Sequence, residues 1–199
     1  MSLFLSFEGI EGSGKTYQAK SLLRRLEREG FPAILLKEPG GTELGRKLAS
    51  VLKKTNMDPI SELFLFLASR RELSHVIREN LSRGKIVILD RFYPSTIAYQ
   101  GYGRGIDIEL ITELNRVATQ GLEPDLFILL NIDVEEALSR KVLRDRFEKE
   151  ERDFHERVRR GYLELAFKNP EKWFIVDASK DKRKISQLIW GRVRECLKP

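Results

Sequence analysis

The apolar run Leu3-Phe4-Leu5-Ser6-Phe7 leads into Gly9-Ile10-Glu11-Gly12-Ser13-Gly14-Lys15-Thr16, and this junction constrains the chain more than any other stretch. Glycines at the first and sixth positions of the octet let backbone N–H groups turn inward around a polyphosphate. Lys15 then reaches the terminal phosphates, and the Thr16 hydroxyl can ligate Mg²⁺. From Tyr17 to Glu29 the chain carries Ala19, Leu22, Leu23 and Leu26 on one face, which predicts an amphipathic helix. Its N-terminus would aim partial positive charge at the same phosphates. A chance octet in an ordinary loop lacks this setting of strand before and helix after.

Further along, 33–36 reads as a second strand and 37–42 as a polar loop. Helices are predicted over 43–54 and over 59–83, the latter capped by Asp58, opened by Pro59 and closed by Gly84. Residues 86–89 form a third strand ending in Asp90-Arg91, and a short helix over 94–100 gives way to a glycine-rich loop at 101–105. A helix over 107–120, a fourth strand over 126–132, a charged helical region over 134–168, a fifth strand over 173–176 and a helix over 182–197 follow. Strands that alternate with helices and read as unbroken apolar runs predict an α/β fold, a doubly wound five-stranded parallel sheet with helices on both faces. Ligands of such sheets bind at the carboxyl ends of the strands, where the Gly9 loop, the Lys37 loop and Asp90-Arg91 all fall.

At 199 residues a single domain, 1–199, is expected. The balance of 36 Lys and Arg against 30 Asp and Glu, net +6, suits an anionic partner without choosing one. Cys196 is the lone cysteine, so neither an intrachain disulfide nor a thiolate zinc site is supported, and a cytoplasmic setting fits. The first apolar run has no basic residue before it and ends at Glu8, unlike a signal peptide, and no segment reaches membrane-spanning length.

Three constellations carry chemistry. Asp90 at the end of an apolar strand has the position of an acidic Mg²⁺ partner, or else caps the next turn; Arg91 beside it favours the first reading. On the 59–83 helix, Leu63, Phe66, Leu73, Ile77 and Leu81 define an apolar face with Arg70 in its middle. A salt-bridged structural Arg is one explanation; a base-binding pair of Arg70 and Phe66 is the other. Residues 140–152 read either as a solvated, ion-paired helix or as a lid over about 139–152, in which Arg140 and Arg144 would repel unless an anion sat between them. His75 and His155 have no partners at catalytic spacing, and both are expected at the surface.

Taken together these residues resemble the bacterial thymidylate kinases, a family of phosphate-loop nucleoside monophosphate kinases. The resemblance runs through Phe7 to Thr16, Glu38-Pro39-Gly40-Gly41-Thr42, Asp90-Arg91-Phe92, Ala98-Tyr99-Gln100-Gly101 and Asp145-Arg146-Phe147-Glu148. It implies transfer of the γ-phosphoryl of Mg·ATP to dTMP, giving dTDP, by a homodimer that needs neither nucleic acid nor membrane. It also implies that Gly9 to Thr16 hold ATP, that Thr16 and Asp90 serve the metal, and that Lys37 and Glu38 belong to the acceptor site. Phe66 would stack on thymine, Arg70 bond its O4, Thr96 meet the base edge, Tyr99 fill the space of a 2′-OH and Gln100 complete the pocket. Glu11 and Arg91 would face the sugar and phosphate. The cations of catalysis would be Lys15, Arg91 and the lid's Arg140 and Arg144; a phosphate acceptor, largely dianionic at neutral pH, needs no strong base.

Two departures stand out: Lys37 replaces a usual Arg, and Ala49 a usual basic residue, for which Arg46 or Lys53 on the same helix could substitute. Rival readings are another nucleotide kinase on the same scaffold, a GTPase, which lacks its Asn-Lys-x-Asp run here, and a nucleic-acid-binding ATPase, for which no basic stretch with stacking aromatics is present.

Overall fold

The structure, a computed structural model, describes residues 2–140, 147–148 and 150–197. Its sheet is formed by β1 (Leu3–Glu8), β2 (Ala33–Lys37), β3 (Ile86–Asp90), β4 (Leu126–Asn131) and β5 (Trp173–Asp177). All neighbours pair in parallel, in the order β2-β3-β1-β4-β5. Successive side chains of a strand point to opposite faces, so a central strand must be apolar on both. In β1, Leu3, Leu5 and Phe7 pack with Ala19, Leu22 and Leu26 of α1 (Lys15–Arg28), while Phe4 packs with Leu73 and Ile77 of α3 (Pro59–Ser82). The polar exceptions in β1, Ser6 and Glu8, are fully buried and bonded to each other.

Caps fix the helices that frame the crevice. Thr42 accepts the Gly45 N–H at 2.9 Å to start α2 (Glu43–Lys54), and Asp58 accepts the Ile60 N–H at 2.8 Å to start α3. Each such cap contributes about 1 kcal/mol. After β3 the chain forms α4 (Tyr93–Thr96) and passes without a break into a π-helix, Ile97–Gly103, then α5 (Ile108–Thr119). A loop was expected at 101–105, but the wider turn is closed by Arg104 N–H on the Tyr99 carbonyl, 2.9 Å. The glycines there serve packing: a Cβ on Gly103 would lie 2.6 Å from the Phe154 ring.

The helical region expected over 134–168 contains α6 (Val134–Ser139) and α7 (Arg152–Lys168), and α8 (Lys182–Cys196) closes the chain. Half of the lid expected over 139–152, Arg144 included, lies outside the described residues. His155 is buried, contrary to expectation, because α7 turns that face inward beside Phe154; His75 is exposed as expected.

The phosphate loop is seated against α6. Gly12 has φ 77°, and a Cβ there would lie 2.1 Å from the Ala137 carbonyl oxygen, whereas Gly14, φ 90°, has open space around it. Gly12→Ala therefore meets both the left-handed penalty of roughly 1–2 kcal/mol and a backbone clash, and Gly14→Ala only the penalty. Denaturant unfolding without nucleotide should show the larger loss in Gly12→Ala; equal losses would mean that α6 yields at no cost.

Candidate active site

Parallel register brings Phe7, Asp90 and Lys37 into one row across β1, β3 and β2, so the loops after these strands converge on a single crevice. A cavity of about 720 Å³ opens there. It is lined from the phosphate loop by Glu11, Gly12, Gly14, Lys15 and Thr16, and from β3 by Asp90 and Arg91. Lys37, Glu38, Phe66, Arg70, Thr96, Tyr99 and Gln100 line it too, as does Arg140. Gly9, Ile10 and Ser13 belong to the loop without lining the cavity. Of the substitutes considered for Ala49, Lys53 lines the cavity and Arg46 does not.

At the loop, Lys15 donates to the Ile10 carbonyl at 2.7 Å and to Ser13 Oγ at 3.3 Å. Burial, and then the charge of Arg91, lower its pKa to about 7 against the pull of Glu11, Asp90 and Glu8. The Thr16 hydroxyl donates to Asp90 Oδ2 at 2.5 Å. Asp90 thus faces α1 and does not cap the following turn, where no side-chain cap is made.

Arg91 is the node of the crevice. It has φ 75°, and its guanidinium donates to the Gly9 carbonyl (3.0 Å), Glu11 Oε1 (2.7 Å), Ser95 Oγ (3.2 Å), Tyr162 Oη (3.1 Å) and Tyr99 Oη (3.3 Å). It also sits over the Tyr99 ring, 5.1 Å from the centroid, and Tyr99 in turn donates to Glu11 Oε2. Burial works to raise the Glu11 carboxyl, but Arg91, then Lys15 and the Tyr99 hydroxyl outweigh it and hold its pKa at about 2.

Arg70 is 1% exposed and salt-bridged, one of the two readings open to it from sequence. Its Nε and Nη2 meet Glu38 Oε2 at 3.1 and 3.0 Å, and Nη1 donates to Asn115 Oδ1 at 2.5 Å, so it is a buried ion-paired residue that also lines the cavity. Burial raises the Glu38 carboxyl, with Arg70 opposing. Phe66, a helical turn before, places its ring 6.0 Å from that of Phe147. Thr96 is buried on the cavity wall and its hydroxyl finds no hydrogen-bond partner among the described residues, an orphan a ligand can satisfy. Gln100 is anchored through its amide nitrogen to Glu62, 2.6 Å.

Arg140, just after α6, donates to the Ala178 carbonyl at 3.0 Å and pairs with Glu136 at 2.6 Å; the Arg144 expected to repel it lies outside the described residues. Sequence reasoning missed this end of the cavity, where Ala178, Lys180 and Lys182 after β5 line the wall. It also missed Glu8, Ser95, Asn115 and Tyr162. The signal available was a Glu in a buried strand and an Asn on the inward face of an amphipathic helix.

A parallel sheet with a glycine-rich loop at its first strand end, a Lys and Thr on the following helix and an Asp on the neighbouring strand defines a phosphate-loop nucleotide-binding protein. The family is narrower. A thymidylate kinase family model matches residues 7–189. The chain is 45% identical to a thymidylate kinase of Dehalococcoides mccartyi, over 100% of this chain and 99% of that one, and 46% identical to one of Desulfovibrio desulfuricans, over 89% and 88%. Among solved structures, thymidylate kinase from Ehrlichia chaffeensis superposes with a TM-score of 0.79 at 36% identity, covering 96% of this chain and 98% of that one. The chain belongs to the thymidylate kinase family, enzymes that phosphorylate dTMP to dTDP using ATP.

The lowered pKa of Glu11 has a consequence for stability. A depressed carboxylate stabilises the fold above its unfolded pKa, near 4.5, and that contribution is lost as pH falls towards about 2. The span corresponds to about 3 kcal/mol. Urea unfolding followed from pH 5 to pH 3 should show a steeper loss for the native protein than for Glu11→Gln; parallel curves would mean that Glu11 is not held ionised by Arg91.

Proposed function

We propose that the two ends of this cavity divide the two substrates, with ATP on the phosphate loop and α6 side and dTMP between α3 and the π-helix, so that the phosphoryl group passes beside Lys15 and Arg91. The observation that carries this reading is the shared wall: the phosphate loop, Arg91, Arg70, Phe66 and Tyr99 all line one cavity. Gly9, Ile10 and Ser13 shape the loop, and Glu11, Gly12, Gly14, Lys15 and Thr16 present its inner face to the nucleotide phosphates. Phe66 stacks on thymine, Arg70 donates to the base, and Thr96 and Gln100 complete its edge. Tyr99, held by Glu11 and Arg91, occupies the space a ribose 2′-OH would need. Lys37 and Lys53 bring positive charge towards the acceptor phosphate, and Glu38 keeps Arg70 in place.

The residues present fit Mg²⁺. Among the described residues no three His, Cys, Asp or Glu side chains converge into a protein cage. A hydroxyl and a carboxylate 2.5 Å apart at the phosphate end, Thr16 and Asp90, are the sparse donor set of an ion held mainly through phosphates and water. When bound, the ion neutralises phosphate charge. Lys15 and Arg91 supply fixed donors on the same group, and alignment does the remainder, because an ionised phosphate acceptor has no proton to remove at neutral pH.

We further infer a single kinase domain, 1–199, whose lid over about 139–152 brings Arg144 to the transferring group. Arg140 and Phe147, both within that stretch, line the cavity. Free nucleotides are its partners in this reading, not nucleic acid or a membrane, and the cytoplasm its setting; among the described residues no helix is long and apolar enough to cross a membrane. A homodimer is supported by one face: Val51 of α2, Ile60 and Phe64 of α3, and Leu110 and Val117 of α5 are exposed on neighbouring helices, Val117 at 61%.

Two experiments test the reading. In a panel of nucleoside monophosphates with Mg·ATP, dTMP should be the fastest acceptor, and Arg70→Lys, which keeps the charge that Glu38 needs but loses the fork, should raise the KM for dTMP roughly tenfold and leave that for ATP unchanged. Faster turnover of AMP, CMP or GMP would sink the pocket assignment. For the dimer, Phe64→Glu should halve the mass seen by sedimentation with the fold retained; a monomeric native protein would refute it.

A further inference from the structure

Whatever touches Arg91 must accept a hydrogen bond, because a guanidinium carries five N–H donors and no acceptor. Ser95 and Tyr162 both take its Nη1, at 3.2 and 3.1 Å, and each has a proton of its own to pass on. Ser95 Oγ lies 2.7 Å from Tyr162 Oη and 2.7 Å from Glu8 Oε2. Burial raises the Glu8 carboxyl, with the Ser6 and Ser95 hydroxyls, the Arg91 charge and the Phe92 N–H opposing. Of the two partners of Tyr162 here, Arg91 accepts no proton, so the Tyr162 proton goes to Ser95 and the Ser95 proton to Glu8, which takes it as a carboxylate. The polarity of the chain from Arg91 through Tyr162 and Ser95 is set at its far end by Glu8. The other carboxylate oxygen accepts the Phe92 N–H at 2.8 Å and the Ser6 hydroxyl at 2.7 Å. Phe92 follows Arg91, whose φ of 75° lies in the left-handed region, which a residue with a side chain holds only when its surroundings enforce it. Glu8 is 0% exposed and does not line the cavity, so no substrate reaches it.

We propose that Glu8 is a positioning residue for phosphoryl transfer: its carboxylate fixes both the backbone turn and the donor polarity that aim Arg91 at the phosphate. The proposal rests on the role given to Arg91 above. An amide in the same place breaks the polarity. The oxygen of Gln can still accept from Phe92, but its nitrogen donates to Ser95, whose proton must then turn towards Tyr162 or towards Arg91, which cannot accept it.

The test is kcat and both KM values for Glu8→Gln, Arg91→Ala and the double variant, with thermal unfolding of each. Glu8→Gln should lower kcat roughly tenfold or more with the ATP KM within about twofold, and in the Arg91→Ala background the same change should cost no more than about twofold. Ser95→Ala breaks the link without altering the buried carboxyl; it should lower kcat in the same Arg91-dependent way, and it decides the matter should Glu8→Gln fail to fold. Full kcat in folded Glu8→Gln, with Arg91→Ala slow, overturns the proposal and leaves the Arg91 reading standing, as do losses that multiply independently. Full kcat in Arg91→Ala overturns both.

Discussion

Positive charge held away from water is the constraint on which this crevice depends. A guanidinium taken out of solvent costs several kcal/mol unless an anion and further acceptors meet it, and leaving one member of such a pair alone costs roughly 3–5 kcal/mol. Arg70 is met by Glu38 and Asn115, and Arg91 by Glu11, a carbonyl and three hydroxyls. Each acid comes from a different part of the chain than its partner: Glu38 follows β2 and Glu11 sits in the phosphate loop, while the arginines stand on α3 and after β3. The ion pairs therefore tie the loops at the carboxyl ends of the strands to one another, and the geometry of the sheet is carried into the geometry of the site.

How much of this could be read from the chain differs by level. Strand positions were legible to within a residue or two, because a parallel strand buried on both faces is an unbroken apolar run and each run here is short and bounded by turn residues. The strand order that puts β3 beside β1 is a product of crossovers and was not. The π-helix was illegible for a definite reason: its glycines are loop signals in isolation, and only Phe154 and the α5 residues packed against them make the wide turn favourable. His155 was misplaced because a histidine on a charged helix has no local mark of the side it buries. Gly12 stood among the variable positions of the phosphate motif, yet its left-handed φ and the Ala137 carbonyl leave no room for a side chain.

Arg70 shows why a choice between structural and functional readings was badly posed. Its place in an apolar helical face demanded an explanation, and the salt-bridged one is met without excluding the proposed one: a cation that lines a cavity while mostly dehydrated needs a buried acid behind it. Glu38 and Asn115 are that support, and neither was visible from the helix that carries Arg70. A site residue was legible where its own position broke a pattern; Glu38 was named only through the family resemblance and its pairing with Arg70 was not foreseen, and Asn115 was missed, since a Glu at a strand end or an Asn on a helix breaks none.

Three cations of the cavity wall already have partners in the free protein, and this bears on how phosphates are taken in. Lys15 spends its ammonium on the Ile10 carbonyl and Ser13, Arg91 on Glu11, and Arg140 on Glu136. A triphosphate that reaches these three competes with partners already in place. The cost of displacing them lowers ground-state affinity, and it is lowest for contacts such as Lys15 to a neutral carbonyl and highest for Arg91 to an ionised carboxylate. In the role proposed for it, Arg91 is accordingly the group whose full engagement with phosphate waits for the charge that develops in transfer and not in binding. On that proposal, an ion pair that looks like an obstacle to substrate biases its arginine towards the transition state.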